Sequence, residues 1–363
     1  MRRLSAHLSD PARKKEMTIS AFDHPFLSGL LGDEETATYF SAQSDIRAML
    51  AFEAALAKAE AAHGLISNDA ARHIGAVCAI FEPDLPLLRA ATARDGIVVA
   101  DLVNQLREAV GRPYSDAVHL GATSQDVIDT SLMVRLKAVA FLFSGRLSKL
   151  AQAFDSLDAR FGKAALMGRT RMQAALAITV SDRLRAWRTP LNGCRDRLTE
   201  QRFVLQFGGA AGTLDRIQDQ ARPIRAALAQ ELGLSDEPQW QSQRGLIADF
   251  ANLLSLISGS LGKFGQDIAL LAQAGDEIEL AGGGGSSAMA HKQNPVAAET
   301  LVALARFNAT QLSGIHQSLV HEQERSGAAW TLEWLILPQM AMATGASLRL
   351  ALELAHNIRR IGA

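Results

Sequence analysis

Residues 250–271 read FANLLSLISGSLGKFGQDIALL, and this stretch sets the fold class. Phe250, Leu253, Leu254, Ile257, Leu261, Phe264, Ile268 and Leu271 recur mostly at steps of three and four, so a helix gathers them into one apolar seam. No proline interrupts the run, which predicts a single long helix. Working outward, a second follows Pro295, with Leu301, Leu304, Leu312, Ile315 and Leu319 as its inner face. The same period between Gly and Pro breaks predicts helices near 43–63, 126–160, 173–206 and 333–357. Strand-like alternation of β-branched residues is nearly absent. Helices this long belong to coiled coils, membrane spans or bundles. No run approaches the ~20 consecutive apolar residues of a membrane span, so an all-α bundle of long helices is expected. Ala251, Ser255, Ser258, Gly259 and Gly262 are small enough for close helix approach, which suggests subunit contacts; a monomeric bundle is the alternative.

The 363 residues allow two or three domains. Thirty-seven basic residues against 38 acidic ones leave a formal charge of -1, which argues against nucleic acid as a partner. An anionic substrate must then be met by local basic groups. Two cysteines, Cys78 and Cys194, exclude a disulfide framework and suit a cytoplasmic location. Met1–Glu16 is basic without the apolar core of a signal peptide and reads as a flexible extension, with Met17 a possible original start. Glu82–Pro86 breaks a helix, and Gly111-Arg112-Pro113 marks a domain edge. The expected division is an extension at 1–16, a helical domain at 17–112 and the long-helix bundle at 113–363.

The chemistry gathers at 282–295, GGGGSSAMAHKQNP. Four glycines allow a loop to close over a site and bring backbone N–H groups against an anion. Ser286 and Ser287 supply hydroxyls, Lys292 a positive charge and Asn294 an amide. Pro295 suits an early position in the next helix, whose N-terminal dipole favours a carboxylate. A plain glycine-serine linker is the bland reading, but linkers do not continue into Met, His, Lys, Asn and Pro in this layout. His119–Asp126, HLGATSQD, places Thr123 and Ser124 where they would cap a helix, and a capped helix start is also an anion site.

GSSAMAHKQNP resembles the GSSxMPxKxNP signature of the fumarase/aspartase superfamily, with Ala290 in place of the usual proline. HLGATSQD is similar to that family's HxGxTSxD segment, and Gly168–Gln173, GRTRMQ, to its GRTxxQ segment. The resemblance covers roughly residues 20–350. It implies the family's long-helix bundle, lacking most of the usual C-terminal domain. It also implies a homotetramer whose active sites are shared between subunits, and no cofactor. By position it makes Ser286, Lys292 and His119 catalytic, and Thr123, Ser124, Arg171, Gln173, His291, Asn294 and Arg325 substrate-binding. For His119 and His291, a substrate contact and an orienting role stay open.

One departure bears on the reaction. The lyases usually carry a histidine at or near the position of Arg171, to protonate a departing amine or hydroxide. Such a leaving group needs a general acid, whereas a carboxylate, with a pKa near ~4, does not. The substitution fits lactone formation. FEAALAKAE (52–60), QFGGAAGTL (206–214) and HEQERS (321–326) with Trp330, Glu333 and Trp334 are most similar to the bacterial 3-carboxy-cis,cis-muconate cycloisomerase branch. The resemblance therefore implies conversion of a small tricarboxylate to 4-carboxymuconolactone in protocatechuate (β-ketoadipate pathway) degradation. An amine-eliminating lyase of the adenylosuccinate or argininosuccinate type is the alternative, and a non-catalytic relative would have lost Ser286 or Lys292. Residues 206–214 lack the preceding strand and following Lys-Ser/Thr of a phosphate loop. His316 and His321, five apart, would not share a helix face, and no HExxH pattern occurs, so no metal site is expected.

Overall fold

The computed structural model describes residues 20–285 and 293–363; Ser286, His291 and Lys292 lie outside the described residues, as does the basic stretch at 1–16. Two short helical segments, Ser28–Leu31 and Glu34–Thr38, precede α1 (Ala42–Ala62), α2 (Asn68–Ile80), α3 (Leu85–Asp95) and α4 (Val99–Val110). Then come α5 (Ser124–Phe161), the hairpin β1 (Ala165–Thr170) and β2 (Gln173–Thr179), α6 (Val180–Glu200) and α7 (Ala221–Leu232). The remainder is α8 (Gly245–Ala274), β3 (Ile278–Leu280), β4 (Gly284–Gly285), β5 (Gln293–Asn294), α9 (Val296–Gln317), α10 (Gly327–His356) and β6 (Ile358–Ile361).

The seam on α8 is the centre of the bundle. Every one of its eight large apolar side chains is buried. Phe264 meets Phe154 of α5 and Trp187 of α6 edge-on, at ring-centroid distances of 5.2 and 4.9 Å. Burial of each such ring contributes roughly 1.5–3 kcal/mol. Two of the small residues on α8 serve packing within the chain: a methyl at Gly262 would come within 2.5 Å of Ala305 Cβ on α9, and Ser258 takes a hydrogen bond from Asn308 at 3.1 Å. The expected subunit-contact role of Gly262 and Ser258 is thus replaced by a contact between α8 and α9.

Two further expectations are corrected. Residues 173–206 are not one helix: 173–179 form β2, which pairs antiparallel with β1, and α6 ends at Glu200. His321 lies beyond the end of α9, so no helix angle relates it to His316. By length and composition α8 and α10 could each cross a membrane, both with mean hydropathy 1.3 over the best window. Their apolar character is explained by the bundle, which buries 56% and 67% of those windows.

Helix length separates the molecule into two ends. The 38 residues of α5 span about 57 Å at ~1.5 Å per residue. At its start lie residues 119–126, the 206–214 turn and Arg325, joined by hydrogen bonds. At its finish lie the β1–β2 hairpin, the exit of α8 and the β3–β6 pair. Glu277 ties these together: its carboxylate accepts from the Met167 N–H at 2.8 Å and from Arg169 at 2.5 Å, and its carbonyl accepts from the Gly362 N–H.

Candidate active site

At the near end, Thr123 is the N-cap of α5 and Ser124 its first residue; both are half-buried. The first-turn N–H groups of a long helix and its dipole favour an anion here. Asp126, fully buried one turn in, fixes the surroundings. Its carboxylate accepts from the Thr123 N–H (3.0 Å), Gln206 Nε2 (3.0 Å), the Gly208 N–H (2.9 Å) and the Gly209 N–H (2.9 Å). Burial pushes its pKa up to about 6, against the pull of those four donors.

The glycines of the 206–214 turn are therefore required by packing, not by a phosphate. A methyl on Gly208 would meet Gln241 Oε1 at 2.8 Å. Gly209 has φ +69°, and a methyl there would lie 3.2 Å from the Gly121 carbonyl. Only glycine lets these two amides converge on one carboxylate.

His119, at φ 63°, points Nδ1 to Glu53 Oε1 of α1 at 2.6 Å. Burial alone would lower the histidine pKa. The Glu53 charge and hydrogen bond outweigh that, Asp126 adds to them, Arg107 opposes, and the imidazole is held above its ordinary value. Arg325 donates from Nε to Gln125 Oε1 at 2.7 Å, and Gln125 is itself held by donation to the Gln241 carbonyl at 2.8 Å. Behind Gln125 lies a buried ion cluster in which Arg244 bridges Asp129 and Glu333, with Trp330 Nε1 donating to Asp129 at 3.1 Å. His119, Thr123, Ser124 and Arg325 thus form one cluster.

At the far end, Arg171 and Met172 make the hairpin turn with φ 48° and 67°, and Arg171 and Gln173 stand exposed at its tip. Asn294, half-buried, pairs with Gly284 across β4–β5, directly before Pro295 and the start of α9. A methyl on Gly284 would meet Val296 Cγ2 at 2.5 Å, so the tight ladder at the foot of the 286–292 segment needs glycine there. Arg171, Gln173 and Asn294 stand at the opposite end of the bundle from the first cluster. The two sets do not meet within one chain.

The sequence reasoning passed over Glu53, Gln125 and the Asp126 cradle. A signal for Glu53 existed: with Phe52, Leu56 and Glu60 it falls on the buried face of α1, an acid where the period calls for an apolar residue. Among the described residues no group of three metal-ligating side chains occurs. Cys78 and Cys194 are both free and buried.

The Lyase family model matches residues 31–308. A 3-carboxy-cis,cis-muconate cycloisomerase of Pseudomonas aeruginosa is 39% identical over 88% of the chain and 72% of its own length. One of Pseudomonas putida is 36% identical over 94% of the chain and 82% of its own length. The crystal structure of the 3-carboxy-cis,cis-muconate lactonizing enzyme from P. putida superimposes with a TM-score of 0.86, at 36% identity, over 92% of this chain and 77% of that one.

Proposed function

The chain belongs to the lyase family, and from that premise we infer that it closes 3-carboxy-cis,cis-muconate to 4-carboxymuconolactone. The likeness to cycloisomerases at 36–39% identity over 88–94% of the chain is the observation that carries this reading. The hairpin supports it chemically: its tip presents Arg171, not a histidine, so it offers an anion anchor where an amine-eliminating enzyme needs an acid.

In this reaction one carboxylate of the substrate adds through oxygen to the conjugated double bond. Charge develops on the carbon next to another carboxylate as an enediolate-like species, and one proton must reach that carbon. Ser286 is the proposed donor, and in reverse its alkoxide is the base. Lys292 and the start of α9 stabilise that anion. Thr123, Ser124, Asn294 and Arg325 hold carboxylates, Arg171 anchors the third, and Gln173 and His291 line the site. No cofactor enters the scheme.

These residues assemble only if chains associate. The separation of about 57 Å between the two ends of α5 supports sites shared between subunits of a homotetramer. Large apolar side chains exposed on three bundle helices, Phe141, Leu256 and Leu335, support burial against further copies. The balanced charge and free cysteines suit the cytoplasm as its place of work. Ser286→Ala is expected to lower kcat by several orders of magnitude with little change in KM. Turnover near that of the unaltered enzyme removes Ser286 from the chemistry.

A further inference from the structure

We propose that Glu53 is a positioning residue for the lactonisation, fixing His119 so that its Nε2 donates a hydrogen bond to a substrate carboxylate at the start of α5. The inference rests on the lactonising role above. Glu53 is 1% exposed at its side chain, and His119 13%. One carboxylate oxygen, Oε1, takes the His119 Nδ1 contact at 2.6 Å, while Oε2 is buried with no hydrogen-bond partner. A buried carboxylate with a single partner is costly unless that partner carries charge. The arrangement therefore favours Nδ1–H facing Glu53 and a protonated ring. With Nδ1 occupied, Nε2 is the only ring nitrogen left to meet a ligand.

The groups around the pair agree. Asp126 on α5 adds negative charge near the ring, and Arg107 on α4 is engaged with the Val118 carbonyl at 3.1 Å. Behind Glu53 on α1 lies Glu60, fully buried, with neither carboxylate oxygen partnered. Burial, with the Glu53 charge adding to it, keeps Glu60 neutral, its pKa pushed up to about 9. His119 itself sits at φ 63°, a conformation that non-glycine residues adopt rarely and that is often retained at functional sites. Four and five residues on, the Thr123–Ser124 helix start offers the carboxylate its further donors.

Two measurements on the full-length enzyme test this. The His119 ring is titrated by NMR in the unaltered protein and in Glu53→Gln, without substrate. Loss of the carboxylate is expected to move its titration to lower pH. Kinetics are then read for Glu53→Gln, His119→Gln and the double variant, with Glu53→Asp as the conservative control. Glu53→Gln is expected to lower kcat/KM by roughly 10²-fold, with the alkaline limb of its pH profile moved to lower pH. The double variant should be little worse than His119→Gln, because one residue acts through the other. Glu53→Asp should recover part of the rate. An unmoved titration, or additive effects of the two substitutions, overturns the proposal. The NMR result is independent of turnover, so failure of the lactonising role itself would be seen separately, as absence of product with the unaltered enzyme.

Discussion

Glu60 shows what a buried acid does to stability at the scale of one residue. Its carboxyl has an ordinary value of 4.5 and is pushed up to about 9 by burial, with Glu53 adding to the shift. A group raised on folding supports the fold fully below its unfolded value and loses that support as pH rises toward the folded one. From about pH 4.5 to pH 9, then, the protein becomes progressively less stable on account of this side chain. Glu60→Gln, which imitates the neutral acid, is expected to match the unaltered protein at pH 4 and to exceed it by about 3 kcal/mol at pH 7. Urea unfolding at the two pH values measures the difference; equal stabilities at pH 7 would mean that Glu60 finds a partner. Such acids are hard to read in a sequence because FEAALAKAE is also what an exposed alanine-rich helix looks like. The residues of HLGATSQD were legible because Thr, Ser and Asp crowd a helix start. For Glu53 the period of α1 marked an acid on the apolar face, but not its partner, which lies 66 positions away.

Elements were legible wherever one period governed them. The seam of α8 and the Gly and Pro breaks around α1, α5 and α10 predicted helices close to those observed. The hairpin at 165–179 was not. Its strands are written in Ala, Leu and Met, residues that favour helices, and its turn uses Arg171 and Met172 at positive φ where glycine or asparagine would have announced it. The sequence periodicity also gave no hint of what joins α5, α8 and α10 at the near end. There Arg244, with its side chain fully buried, bridges Asp129 on α5 and Glu333 on α10. Removing a buried cation strands two carboxylates in the core. Arg244→Ala is therefore expected to cost about 3–5 kcal/mol, seen as a fall in the urea midpoint. A loss below about 1 kcal/mol would mean that water enters and solvates the pair, contrary to the burial of all three side chains.

At the scale of the whole molecule, the candidate residues lie at two ends of the bundle, and the proposed sharing of sites between subunits makes a direct prediction. Thr123→Val damages the near end and Asn294→Ala the far end, so each variant alone should be nearly inactive. Mixed and reassembled, they should form some sites in which both faces are intact, and activity should return to a measurable fraction of that of the unaltered enzyme. No recovery from a mixture that has demonstrably exchanged subunits would place the whole site in a single chain. The GGGG stretch and its GSSAMAHKQNP continuation pointed to the family's reaction, yet no sequence period says whether one chain or several complete the site.

The most direct measurement is the ultraviolet absorbance of 3-carboxy-cis,cis-muconate mixed with the purified protein. Ring closure removes one of the two conjugated double bonds, so the account predicts steady loss of the diene signal, with lactone as the product. An unchanged signal, alongside cleavage of adenylosuccinate or argininosuccinate, would contradict it and make the protein an amine-eliminating lyase.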